Sequence, residues 1–320
     1  MLPTLTAIAG IGLLVWGANR FVAAAAGLAS RHGVSPLTIG MVIVGFGTSM
    51  PELTVSAMAV GGGATGVAIG NAYGSNIVNI ALILGLTALV HPIAVHSNIL
   101  RRELPVLVGV SLLAILTAVD GTIGRIDALI HLTVFGAIVA WTLATSRAYP
   151  ADPVGSDMSR ELERRPGNDG SDWLRIVTGL AALLAGSRLV VWSGVEVARA
   201  LGISDLTIGL TVIAVGTSLP ELASSIVAAS RGEDDLAIGN VLGSNLFNAL
   251  AVIGTAAALA PLPVDRVVLT RDLPVMTLLT LSLFLIGYGF RRRGRVNRYE
   301  GAFLLLVYAA YTAGVLAGLL

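Results

Sequence analysis

Residues 35–53 read SPLTIGMVIVGFGTSMPEL, and residues 204–222 read SDLTIGLTVIAVGTSLPEL. Eleven of these nineteen positions match without a gap, which marks a duplication rather than two chance apolar runs. The same offset of 169 pairs AIGNAYGSNIVNIALILG (68–85) with AIGNVLGSNLFNALAVIG (237–254). The register continues to Arg102 and Arg271, and to Pro105 and Pro274.

What surrounds the two copies is apolar. Of 320 residues, 55% are hydrophobic and 12% are charged, about half the charge of a typical soluble domain. Such a chain has lipid as its solvent. Ten segments meet the length of a membrane span: 5–29, 37–60, 67–90, 103–119, 126–146, 173–199, 206–230, 236–259, 272–290 and 300–319. The first reads as a retained helix, because it lacks a basic n-region and a small-residue cleavage site. Residues 150–172, rich in charge, proline and glycine, read as an exposed linker.

The expected fold is an all-α integral membrane protein of ten transmembrane helices. A first five-helix repeat covers 1–149 and a second covers 173–320. Five is odd, so the second copy enters the membrane from the opposite side. Two inverted copies with helices broken at the midplane are the architecture of secondary transporters. With the N-terminus outside, fourteen arginines fall in inner loops and four in outer ones, which places both termini outside and the linker in the cytoplasm.

Glu52 and Glu221 lie at matching depth inside apolar segments. A lone carboxylate at the bilayer centre costs roughly 2.5–3.5 kcal/mol on insertion scales. Two brought together also repel, unless a cation stands between them. Their neighbours offer oxygen. Pro51 and Pro220 lack an N–H, which frees the carbonyls of Gly47 and Gly216 four residues back. Thr48, Ser49, Thr217 and Ser218 add hydroxyls. The polar breaks GNAYGSNIVN and GNVLGSNLFN add Ser75, Asn76, Asn79 and Ser244, Asn245, Asn248, with each serine four residues from the later asparagine on one helix face. Carboxylates, amides, hydroxyls and carbonyls without sulfur or histidine suit Na⁺ or Ca²⁺.

Plainer readings compete. Ser49-x-x-Glu52 and Ser218-x-x-Glu221 also fit a helix capping box. Asn71, Asn76, Asn240 and Asn245 could equally serve as glue between helices. His32, His91, His96 and His131 fall at span ends or loops without ligand spacing and read as structural. Glu103 and Asp272 each follow an arginine and read as local charge pairs. The run Glu233-Asp234-Asp235 reads as a solvated loop. No cysteine is present, no cofactor is expected, and no basic patch points to nucleic acid. An ion channel and an intramembrane enzyme are the rival classes. The inverted repeat speaks against the first, and the absence of HExxH, G-x-G-D or a Ser–His pair speaks against the second.

GTSMPEL with GNAYGSNIVN, and GTSLPEL with GNVLGSNLFN, resemble the two α-repeats of the sodium/calcium exchanger family within the calcium/cation antiporters. The residue-level likeness covers 37–85 and 206–254. It implies a plasma-membrane antiporter exchanging Na⁺ for Ca²⁺ by alternating access, with electrogenic transport; a Ca²⁺/H⁺ antiporter, or one for another divalent cation, is the alternative. It implies a Ca²⁺ site of Thr48, Glu52, Thr217 and Glu221. Flanking Na⁺ sites would use Ser49, Ser218, Ser75, Ser244 and the carbonyls of Gly45 and Ala214, with Asn79 and Asn248 between the glutamates. Some relatives carry Asp at the second amide position, so this chain departs from them at Asn248. The transported ions and the lipid bilayer are its expected partners.

Overall fold

The structure is a computed structural model that describes residues 2–95, 99–146, 169–201, 214–287 and 294–317. The expected segment at 206–230 falls partly outside this set, as does most of the 150–172 linker. Almost everything described is helical. Among the described residues, seven helices are long and apolar enough to cross a membrane: Leu2–His32, Thr65–Val90, Arg125–Thr145, Gly170–Ala198, Asp234–Leu259, Val268–Gly287 and Arg298–Leu316. Pro36–Thr48 and Met50–Gly61 make an eighth span, bent by 41° at Ser49.

Element ends shift where charge meets the membrane face. The span expected at 103–119 begins at Ile99 with a π-helical turn that carries Arg101, Arg102 and Glu103. The helix expected from 173 already starts at Asp169, so the linker is shorter than its composition implied.

The two longest helices form one body. Leu2–His32 has 31 residues and Asp169–Ala200 has 32. At 1.5 Å per residue each is about 46 Å long, well over the roughly 30 Å of hydrocarbon. They run antiparallel and touch through glycine. A Cβ on Gly10 would lie 2.9 Å from the Gly186 carbonyl oxygen, and one on Gly17 would lie 2.8 Å from that of Gly179. Small residues let the backbones meet, the usual device where lipid gives no hydrophobic drive between helices. At the offset of 169, Gly10 corresponds to Gly179 and Gly17 to Gly186. The copies of the first span therefore meet head to tail. Arg20 stacks over Trp16 and donates to the Thr178 hydroxyl at 2.7 Å. Arg31 pairs with Asp172 at one end, and Ser193 donates to the Pro3 carbonyl at the other.

The remaining helices pack as a second body around Thr65–Val90 and Asp234–Leu259; the latter is buried throughout its most apolar stretch. Two short antiparallel pairings cross-link it. Strand β1 (Ile93–Ala94) pairs with β4 (Arg295–Val296), and β2 (Thr122–Ile123) pairs with β3 (Leu262–Pro263). Gly40 and Gly239 allow Pro36–Thr48 to lie against Asp234–Leu259, since a Cβ on Gly239 would sit 2.5 Å from the Leu37 carbonyl oxygen.

The acidic run at 233–235 is not the solvated loop its composition suggested. Glu233 is 8% exposed, and Asp234 accepts the Ala94 N–H at 2.8 Å. Beside β1, the run anchors a chain crossing. Glu103 and Asp272 sit in the expected local charge pairs, with Arg102 at 3.7 Å and Arg271 at 2.7 Å. His131 lies inside helix Arg125–Ser146, fully buried, with its ring nitrogens at 2.9 Å from the Ala249 carbonyl and from the Thr117 hydroxyl. Its structural role stands; its expected place at a span end does not.

The glycine seam gives a direct test. Gly179→Val would drive a Cβ to 2.8 Å from the Phe21 backbone nitrogen, whereas Gly12 has nothing within 4 Å. Gly179→Val should destabilise the purified protein by about 1–3 kcal/mol, and Gly12→Val by no more than about 0.5 kcal/mol. Thermal melts of both in one detergent read the difference.

Candidate cation site

Each half of the site begins where a helix restarts. Pro51 and Pro220 occupy the first turn of Met50–Gly61 and Leu219–Ser230, where a missing N–H costs no hydrogen bond. Glu52 and Glu221 follow immediately, so each carboxylate sits at the positive end of a half-helix. Both are buried, at 0% and 1% exposure.

The serines do not cap these helices. Neither Ser49 nor Ser218 makes a side-chain capping bond to its own helix. Each reaches across to the other repeat instead. Ser49 Oγ donates to Glu221 Oε1 at 2.8 Å, and Ser218 Oγ donates to Glu52 Oε1 at 3.2 Å. Each glutamate is thus held by the serine three residues before the other, and both carboxylates converge on one centre. The capping-box reading fails because a better acceptor lies opposite. Thr48 and Thr217 stand beside the opposite carboxylates.

The asparagines divide by role. Asn71 Nδ2 donates to the Glu52 carbonyl and the Ser56 hydroxyl, both at 2.9 Å. Asn240 Nδ2 does the same to the Glu221 carbonyl at 3.0 Å and Ser225 at 2.8 Å. These two fix the backbone under each glutamate, so they are glue. Asn76 donates to the Asn245 carbonyl at 3.2 Å, a further contact between the repeats.

Asn79 and Asn248 sit in π-helical turns, Val78–Leu84 and Phe247–Val252. Such turns widen a helix by one residue and often mark functional positions. The Glu52 helix packs on the turn that carries Asn248, and the Glu221 helix on the turn that carries Asn79. Asn79 Nδ2 donates to Asn245 Oδ1 at 3.1 Å.

Glu52 Oε2, Glu221 Oε2, Asn79 Oδ1 and Asn248 Oδ1 are among the buried atoms without a hydrogen-bond partner in the described residues, as are Asn76 Oδ1 and the amide nitrogens of Asn245 and Asn248. A buried unsatisfied acceptor costs about 1–3 kcal/mol, and more if charged. Carboxylate and amide oxygens left bare around one centre suit a hard cation. The Gly45 carbonyl accepts from Ser244 Oγ at 3.2 Å and Thr48 Oγ1 at 3.3 Å. Ser75 is buried, and Ala214 opens the short helix Ala214–Thr217. No cluster of three or more His, Cys, Asp or Glu is found among the described residues.

Sequence reasoning missed the hydroxyls of Ser56 and Ser225 beneath the glutamates. They lie one helical turn beyond Glu52 and Glu221, a spacing that could have found them. It also missed Ser187, whose hydroxyl donates to the Gly216 carbonyl at 2.7 Å. No local pattern announces that contact.

Apolar spanning helices around a buried, oxygen-lined acidic centre define a multi-pass membrane protein built to hold cations. The family described as "Sodium/calcium exchanger protein" matches residues 2–144 and 171–317. The chain is 43% identical to the putative antiporter CaxA of Alkalimonas amylolytica, over 97% of this chain and 98% of that protein. It is 30% identical to the sodium/calcium exchanger MaX1 of Methanosarcina acetivorans, covering 94% and 95% of the two. Solved structures of the sodium-calcium exchanger NCX_Mj, among them one soaked with Na⁺ and Sr²⁺, superpose with a TM-score of 0.83 at 31% identity, covering 98% of each chain. The chain belongs to the sodium/calcium exchanger family. It is a cation antiporter of that family, not an enzyme, and the ions it carries are substrates rather than cofactors.

The cross-bonds carry a prediction. Ser49→Ala removes a bond to Glu221 and no helix cap, so helicity should be unchanged. Calcium binding by calorimetry should weaken about tenfold, the worth of one hydrogen bond to a charged group. An unchanged affinity with a lower melting temperature would mean that Ser49 only supports the fold.

Proposed function

We propose that this protein exchanges Na⁺ for Ca²⁺ across the membrane by alternating access. The observation that carries the reading is the pair of symmetry-related glutamates, each bonded to the opposite repeat, with a bare oxygen on each and on the two amides beside them. The names of MaX1 and of NCX_Mj attach these ions to similar proteins.

In this reading Thr48, Glu52, Thr217 and Glu221 hold Ca²⁺. Gly45, Ser49, Ser75, Asn79, Ala214, Ser218, Ser244 and Asn248 serve Na⁺ or flanking positions. Two glutamates give the centre a formal charge of −2, which one Ca²⁺ or two Na⁺ neutralise. Asn248 adds no charge, so a third Na⁺ would leave the loaded site positive and make exchange electrogenic. Coupling to H⁺ is less favoured, because six serine and threonine hydroxyls and two amides suit Na⁺ better than a proton.

The meeting of Gly10 with Gly186 and of Gly17 with Gly179 supports the ten-helix reading of two inverted five-helix repeats. We place both termini outside the plasma membrane and the linker in the cytoplasm, following the arginines.

The test is uptake of ⁴⁵Ca²⁺ into vesicles with and without an opposed Na⁺ gradient. Wild type should take up Ca²⁺ only against Na⁺, faster with a potential that favours the net charge moved, and Glu52→Gln should lower the rate at least a hundredfold, on the order of a lost buried charged ligand. Uptake driven by a pH gradient and indifferent to Na⁺ would replace this reading with Ca²⁺/H⁺ exchange.

A further inference from the structure

The two copies of the chain differ at the places where the long helix pair touches the rest of the molecule. Pro220 has no N–H to offer the Gly216 carbonyl four residues back. The Ser187 hydroxyl, from Asp169–Ala200, fills that vacancy at 2.7 Å. Gly216 lies next to Thr217, so the contact reaches the edge of the cation site. The approach is close: a Cβ on Gly216 would lie 2.1 Å from Val191 Cγ2. A second bond lies on the partner helix. Arg231, at the end of Leu219–Ser230, donates to Asn19 Oδ1 at 2.7 Å.

Both contacts join the helix pair to the second repeat. At the offset of 169, Ser187 corresponds to Ala18, which has no hydroxyl to give the Gly47 carbonyl. Arg231 corresponds to Gly62, which has no side chain, and Asn19 corresponds to Arg188. Neither bond can be drawn on the first-repeat side. Within the pair, by contrast, the glycine seam is two-fold, so the pair holds together as one body.

We propose that Ser187 and the Asn19–Arg231 contact hold the helix pair in the facing state seen here, and so make the two faces of this exchanger unequal. The proposal rests on the alternating-access reading. A machine of two equivalent inverted halves would populate its two facing states equally. A hydrogen bond that exists in one state alone biases the equilibrium toward it, and the apparent affinity at each face scales with the fraction of molecules open to that face. In that reading the helix pair, joined by its glycine seam, shifts as one body against the rest, and neither bond survives a displacement of more than about 1 Å.

The chain has no cysteine, so labels can be placed singly. Spin labels at Trp173→Cys on the pair and Val90→Cys on the core, both exposed positions, report their separation in bilayers without any transport. Wild type should show one dominant distance. Ser187→Ala and Asn19→Ala should each raise the ratio of the second distance to the first about threefold to tenfold. Ala18→Ser, which offers the Gly47 carbonyl its missing donor, should raise it too. Asn19→Asp, which makes an ion pair with Arg231, should lower it. In flux assays the alanine variants should weaken apparent ion affinity at one face and strengthen it at the other. Two equal populations in wild type would overturn the proposal, as would an unchanged ratio in either alanine variant, or Asn19→Ala and Asn19→Asp moving together. The distance readout is independent of which ions are carried, so the failure of Na⁺-driven uptake would be recognised separately.

Discussion

The fold turns on two acidic side chains that membrane insertion alone would exclude. Each is held at the N-terminus of a half-helix, and each accepts a hydrogen bond from the other repeat's serine. The reciprocity is the constraint. Neither half can complete its own glutamate, so the site exists only when both halves are folded and in register. The proline breaks, the π-helical turns and the asparagines beneath the glutamates all serve this meeting. They open backbone where oxygen is needed and hold it firm on either side.

Two copies of one sequence pattern meet in the long helix pair, which runs antiparallel. Glycine lets the long helices meet at the closest distance their backbones allow, at positions that are copies of one another. A further set of glycines lets the first broken span lie directly on Asp234–Leu259. Lipid supplies no hydrophobic drive between helices, so close backbone packing and buried polar contacts hold the structure together. Asn71 and Asn240 illustrate the second. One amide serves both a backbone carbonyl under a glutamate and a serine a turn further on.

Much of this was legible in the sequence. The offset of 169 pairs the two motifs, and the depth of Glu52 and Glu221 in apolar runs singles them out. The bare oxygens of Glu52, Glu221, Asn79 and Asn248 lie on residues that the motifs already named. What the sequence hid has a common cause: it depended on which partner lay opposite. Ser49-x-x-Glu52 spells a cap equally well whether or not a second glutamate is nearby, and local spacing cannot see across to Glu221. The same blindness left Glu233 reading as solvated and His131 as peripheral, though both are buried among residues more than a hundred positions away or across a chain crossing. Ser187 was invisible because its acceptor belongs to another helix.

The four short strands carry a consequence of their own. Strands β1 and β4 join just before the span that starts at Ile99, and β2 and β3 join just after it ends. The bundle is therefore stitched at both ends of that span by main-chain bonds that side-chain substitution cannot remove. A barrel hooped at top and bottom does not gape. Neither pairing includes the long helix pair, so the bundle is braced independently of it.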